Sequence, residues 1–239
     1  MYNTLTYRSI YRFSTGHGFE EIQDVMIQEH AYDVIVNDLN YTRLVCTPAH
    51  LEELVVGHLA LAGVIRKYQD IINLEISDTL IRAETAEVQA DPVNADEKIN
   101  AEENKFYAED ITAVMKKHLN SSKLHQLTGG VHIMSLAQGA DLLVSREDIG
   151  RHNAVDKIYG YCLINNISYE GKMFLSSGRT TYEIIQKLYK MGVKVVVGRA
   201  AVTDLARDIA DRAGITVIGF ARGDKFNIYT HPERIVTRG

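Results

Sequence analysis

A chain of 239 residues that is 46% hydrophobic and 24% charged, with 17 Gly and only 3 Pro, carries enough apolar material for a substantial core. That excludes a disordered tail or a linker-dominated organisation. The net charge of −5 is uneven: residues 1–145 hold 11 Lys+Arg against 21 Asp+Glu, residues 146–239 hold 15 against 10, which suggests two units. The basic charges of the second half are scattered rather than gathered into a run, so an anionic small ligand is expected and nucleic acid is not.

Two cysteines, Cys46 and Cys162, cannot form the disulfide framework of a small secreted protein. The opening MYNTLTYRSIYRFSTGHGFE lacks the apolar centre of a signal peptide, and no window approaches the roughly 20 apolar residues of a membrane span. A cytoplasmic location with no membrane partner is the expectation.

The first 28 or so residues have weak periodicity and read as an arm that packs on another part of the chain or on a second subunit. YDVIVND and NYTRLVC then form a hairpin about Asn37 and Asp38. A helix follows with Thr47 as N-cap, Pro48 at the first helical position, a stripe of Leu51, Leu54, Val55, His58, Leu59 and Ala62, and Gly63 as its left-handed stop. INLEIS and TLIRAETAEV give two more strands. The segment between Asp91 and Asp110 contains seven acidic residues against two lysines and reads as a solvated loop. AEDITAVMKKHL is helical, with Ile111, Val114, Met115 and Leu119 in register, and a domain boundary is expected after it, giving units 1–125 and 126–239.

The second half is more regular. VHIMSLA and DLLVS pair as a hairpin about Gln138 to Ala140, and helices 151–164, 181–191 and 203–213 then alternate with strands KMFLS, VKVVV, ITVIGF and FNIYT. Such alternation implies an α/β unit of parallel strands, right-handed crossovers and helices on both faces, beside a smaller α+β N-terminal unit.

Ligands of open α/β sheets bind beyond the carboxyl ends of the strands. Four successive strands are each followed there by arginine and glycine: Arg146 with Gly150, Arg151 and His152; Gly178 with Arg179; Gly198 with Arg199; Arg222 with Gly223, Asp224 and Lys225. Glycine lets backbone N–H groups approach a phosphate, helix N-termini add a favourable dipole, and arginine offers a bidentate fork. The pattern points to an anion-binding cleft, with His132 and His152 as further candidates. His50 and His58 share a helix side but lack partners at metal-ligand spacing, so no metal is expected. Cys162 lies on the apolar side of its helix and reads as an inert buried thiol. Cys46 precedes a helix start, where the dipole favours a thiolate, although core packing is the simpler role.

The stretches TPAHLEELVVGHL, TGGVH, REDIGRHNAVDKIYG, SSGRTTYEIIQK and GFARGDKFNIYT together resemble the formate dehydrogenase accessory protein FdhD family, over about Ala31 to Thr230. The resemblance implies a cytidine-deaminase-like three-layer core in the C-terminal half and a dimer. It also implies a sulfurtransferase role: sulfur passes from a cysteine desulfurase to the bis-molybdopterin guanine dinucleotide cofactor of formate dehydrogenase. It sets Phe220, Ala221, Arg222, Gly223, Asp224 and Lys225 against the pterin or its guanine nucleotide part. The family's persulfide cysteine belongs to a Cys-x-x-Cys pair upstream of TGGVH, yet residues 88–128 contain no cysteine. Persulfide transfer requires a thiolate, so no catalytic residue carries over and Cys46 is the only stand-in. The alternative is a transfer-inactive chaperone or sensor of the cofactor. Zinc deamination is excluded for want of a Pro-Cys-x-x-Cys motif and of a glutamate at the second position after His132.

Overall fold

The protein is described by a computed structural model covering residues 4–87 and 104–239. The expected loop between Asp91 and Asp110 falls largely outside these residues; of its acids, Glu109 and Asp110 are described and hold the C-terminal Arg238, Asp110 by a 2.8 Å bond to its guanidinium.

Strands β1 (Leu5–Ser14) and β2 (Gly18–Ile27) form a ten-residue antiparallel ribbon. The expected arm is thus regular structure. Its signal was hidden because Tyr7, Tyr11, Phe13 and Phe19 alternate with polar residues yet stay exposed (61–76%), so no buried face marks a period. Strands β3 (His30–Val36) and β4 (Leu39–Cys46) make the anticipated hairpin, and Asn37 and Asp38 both take positive φ, as a two-residue type I′ turn requires. With β5 (Ile71–Ile76) and β6 (Leu80–Thr85) they complete a four-stranded sheet ordered β4-β3-β6-β5.

Helix α1 (Leu51–Leu61) covers that sheet, burying Leu51, Leu54, Val55 and Leu59. It starts later than expected, after His50 in a left-handed conformation. Thr47 cannot act as the N-cap because its groups are engaged elsewhere: its N–H donates to Asp148 Oδ2 (3.1 Å), its hydroxyl accepts from the Ile149 N–H (3.2 Å) and its carbonyl accepts from Lys157 (3.2 Å). Pro48 accordingly sits in a tight turn closed by the Ala49 N–H on the Thr47 carbonyl (2.7 Å). Gly63 stops the chain at φ 79° as anticipated.

After the short β7 (Phe106–Tyr107) come α2 (Ala108–Asn120) and α3 (Lys123–Thr128), then β8 (His132–Gln138), β9 (Asp141–Asp148), α4 (Arg151–Ile164), β10 (Met173–Ser176), α5 (Tyr182–Met191), β11 (Val195–Gly198), α6 (Asp204–Ala213), β12 (Thr216–Arg222), β13 (Lys225–Ile228) and β14 (Ile235–Val236). Six of these strands form one sheet, ordered β13-β12-β11-β10-β8-β9, in which β10, β11 and β12 run parallel. Right-handed crossovers stepping one way across a sheet keep to one face, and α4, α5 and α6 share one apolar cluster with Phe174, Val196 and Val217. The opposite face is covered by α2: Ile111, Val114 and Met115 pack with Met173, Leu175 and Val197. Helix α2 precedes position 125, yet its apolar side belongs to this sheet.

Helices α1 and α4 meet backbone to backbone. A Cβ on Gly57 would lie 1.8 Å from the Asp156 carbonyl oxygen, and one on Gly160 would lie 1.8 Å from that of Glu53. Among the described residues no helix is long and apolar enough to cross a membrane.

Candidate functional site

The carboxyl ends of β9, β10, β11 and β12 lie along one edge of the six-stranded sheet, where β8 begins. The loops there are interlocked by backbone bonds. Ser177 exchanges bonds with Ile133: its N–H donates to the Ile133 carbonyl (3.0 Å) and its Oγ accepts from the Ile133 N–H (2.9 Å). The Arg199 N–H donates to the Ser176 carbonyl, the Thr180 N–H to Ala201 and the Phe220 N–H to Ala200. Gly178 packs closely on His132: a Cβ there would lie 3.2 Å from His132 Nδ1, tight enough that the ring would have to give by a few tenths of an ångström.

His132 is half-buried. Burial first, and then the positive charges of Arg151, His125 and Arg179, push its pKa below the ordinary histidine value, with Asp148 opposing. These groups therefore share one neighbourhood, in which the imidazole is neutral near pH 7. The Nε of Arg151 is buried there with no hydrogen-bond partner among the described residues, an orphan donor that burial makes costly.

Further along the edge, Phe220 adopts φ 52° at a register shift between Gly219 and Arg222, and its ring is 39% exposed. Left-handed backbone in a bulky residue stores strain that tends to collect at functional sites, and a bulge re-aims a side chain. The Arg222 guanidinium lies 5.8 Å from the centre of that ring, and its Nε–H donates to the Arg199 carbonyl (3.0 Å). Phe220, Arg199 and Arg222 thus form a second neighbourhood, joined to the first through the 176–180 loop. Gly223 and Asp224 make the tight turn into β13, with Lys225 exposed beside it, while Ala221 is buried in the core and offers a ligand nothing from its side chain.

Two expected members sit elsewhere. Arg146 forms a bidentate pair with Glu53 of α1 and stacks 4.8 Å from the centre of the Tyr161 ring. It lies two residues before Asp148 on β9, so the strand alternation turns both towards α1 and α4. His152 Nε2 lies 3.2 Å from Glu183 Oε2 of α5 and lines a cleft between α1, α4 and α5.

Much of REDIGRHNAVDK proves to be a clamp between the two sheets. Lys157 is fully buried and spends its three protons on Asp148 Oδ2 (2.6 Å) and the carbonyls of Thr47 and Glu147 (3.2 Å each). Asp148 Oδ1 accepts from the Gly150 N–H (2.8 Å) and from Asn153 Nδ2 (3.0 Å), and Asn153 also donates to the Val45 carbonyl. Every polar atom of the pair is satisfied. The spacing of Thr47, Asp148 and Lys157 in the chain held no sign of this contact, and the hydroxyl of Ser177 also escaped sequence reasoning.

Neither cysteine is placed for chemistry. Cys46 is fully buried, and burial, reinforced by the Asp148 charge and only partly offset by Lys157, pushes its thiol up to about 12. Burial likewise raises Cys162. Cys46 gains nothing from the α1 dipole, because that helix begins five residues further on.

Comparison with known proteins agrees with this architecture. The FdhD/NarQ family pattern matches residues 27–104 and 84–236. A sulfur carrier protein FdhD of Bacillus subtilis is 38% identical over 95% of this chain and 96% of its own, and one of Geobacillus kaustophilus is 37% identical over 96% of each. The crystal structure of a formate dehydrogenase accessory protein from Desulfotalea psychrophila superposes with a TM-score of 0.86 at 26% identity, covering 98% of this chain and all of that one. The chain belongs to the FdhD/NarQ family.

Proposed function

We propose that this protein serves the maturation of a formate dehydrogenase by holding its bis-molybdopterin guanine dinucleotide, or the guanine nucleotide part, as cargo at the strand-end edge. The observation that carries the reading is Phe220, strained and exposed, with Arg222 beside its ring. An aromatic face and a guanidinium suit a planar heterocycle and its phosphates. Arg179, Arg199, the unpartnered Nε of Arg151 and neutral His132 supply further polar contacts. The names of the relatives support the formate dehydrogenase link. Replacing Arg222 with Ala is expected to weaken guanosine diphosphate binding about tenfold or more, the loss of one charged hydrogen-bond pair; calorimetric titration returning the wild-type affinity would refute the assignment.

The cysteines favour the transfer-inactive version of this role. A persulfide carrier fed by a cysteine desulfurase needs an accessible thiolate, and both thiols are buried and hard to ionise. Incubation of the folded protein with a desulfurase and ³⁵S-cysteine is therefore expected to leave it unlabelled. Labelling of Cys46 or Cys162 would restore the sulfur-carrying role.

The strand order β9-β8-β10-β11-β12 supports a cytidine-deaminase-like core, and we read the four-stranded sheet with α1 as the smaller unit. The exposed aromatics of the β1–β2 ribbon favour a homodimer in which a second copy covers them. Free thiols suit a reducing cytoplasm.

A further inference from the structure

We propose that the cleft between α1, α4 and α5 is a second ligand site, separate from the strand-end edge, and that it takes a phosphate monoester with a compact non-polar body. The cleft has a volume of about 470 Å³, within the range of small-molecule pockets. Beneath its lining lies a buried carboxylate. Asp156 is 1% exposed; its Oδ2 accepts from His58 Nδ1 (3.1 Å) and its Oδ1 from the Lys187 ammonium. One turn further along α5, Lys190 donates to the Leu61 carbonyl at 2.8 Å.

The cleft is lined by two ammonium groups, Lys187 and Lys190, and one carboxylate, Glu183. Asp156, beneath the lining, neutralises Lys187, and Glu183, like Lys190, is exposed and screened by water. Lys190 has no carboxylate partner among the described residues, its one bond being to a backbone oxygen. The positive charge left free for a ligand is therefore that of Lys190; at His152, burial first and then Lys187 and Arg151 lower the pKa, with Glu183 and Asp156 opposing. Two ammonium groups in one cleft favour an anion and disfavour a metal ion.

The imidazoles narrow the class. His58 hydrogen-bonds Asp156 through one nitrogen, and His152 sets one nitrogen against the Glu183 carboxylate. Each therefore keeps a second nitrogen that accepts a hydrogen bond when the ring is neutral. Ammonium donors suit the oxygens of a phosphate monoester, mostly dianionic near pH 7 with a second pKa near 6, and a neutral imidazole accepts the proton that its monoanion retains. Leu61, Ala62 and the aliphatic stems of the lysines offer the apolar floor for its body.

Phenyl phosphate is the probe, with inorganic phosphate and phenol as partial ligands. Calorimetric titration of the full chain is expected to give saturable binding that is weaker for either partial ligand. It should fall about tenfold in Lys190→Gln, recover in Lys190→Arg, and hold in Arg222→Ala. In the wild type, the ring signals of His58 and His152 should shift on binding while that of His132 stays in place. Absent saturation, equal affinity for inorganic phosphate, or binding that is lost with Arg222 and kept without Lys190 would overturn the proposal. Because Arg222 belongs to the other site, failure here leaves the guanine nucleotide reading intact, and the reverse also holds.

Discussion

Lys157→Met is expected to lower folding stability by about 3–5 kcal/mol, the cost of leaving a buried ion without its partner. The methionine fills similar space but strands the Asp148 carboxylate and the carbonyls of Thr47 and Glu147, all now held by one ammonium. The damage falls between the sheets, because Thr47 directly follows the hairpin strand β4 while Asp148 and Lys157 belong to β9 and α4. Lys157→Met combined with Asp148→Leu should recover only part of the loss. The carboxylate also accepts the Thr47 and Gly150 N–H groups and Asn153 Nδ2, which leucine leaves unpaired. Urea unfolding measures both variants; a loss below about 1 kcal/mol for the single change would mean that the pair adds little beyond its own desolvation.

Gly57→Ala should be comparably severe for a different reason. Its methyl would lie 1.8 Å from the Asp156 carbonyl oxygen, and helix backbone, unlike a flexible side chain, cannot swing aside. The helices must separate, which also pulls apart His58 from Asp156 and Glu53 from Arg146. Overpacking typically costs about 1–3 kcal/mol, and this contact belongs at or above the upper end. At about 2–4 °C per kcal/mol for a chain of this size, calorimetry should show the melting temperature lower by about 10 °C. An unchanged midpoint would mean that α1 and α4 are not fixed against each other.

These contacts explain what the sequence revealed and what it concealed. Strands and helices of the second half were readable because Val195 to Val197 are apolar without a break, and because Ile184, Ile185 and Leu188 recur at the helical period. Asn37 and Asp38 announced their turn through residues that tolerate positive φ. The ribbon at residues 5–27 could not be read, since its aromatics are exposed. Proximity to a strand end drew attention to Arg179, Arg199 and Arg222, whose loops lie along that edge, and also to Arg146, which pairs with Glu53 of α1. Counting alternate residues back from Asp148 sends that side chain to α1, a signal present in the sequence though not decisive without knowing which face α4 covers. His152 lines the cleft between α1, α4 and α5, since a helix start resembles an anion site in sequence whichever way its first side chains face. Nothing local marked Phe220 as left-handed, for its conformation arises from the β12–β13 register shift.

Amide resonances of the full chain, followed during titration with guanosine diphosphate, test most directly whether the strand-end edge holds nucleotide. Saturable shifts are expected at residues 178–181, 199–201 and 220–223, converging on one dissociation constant. Shifts that never saturate, or that gather instead around His58, His152 and Lys190, would contradict the assignment.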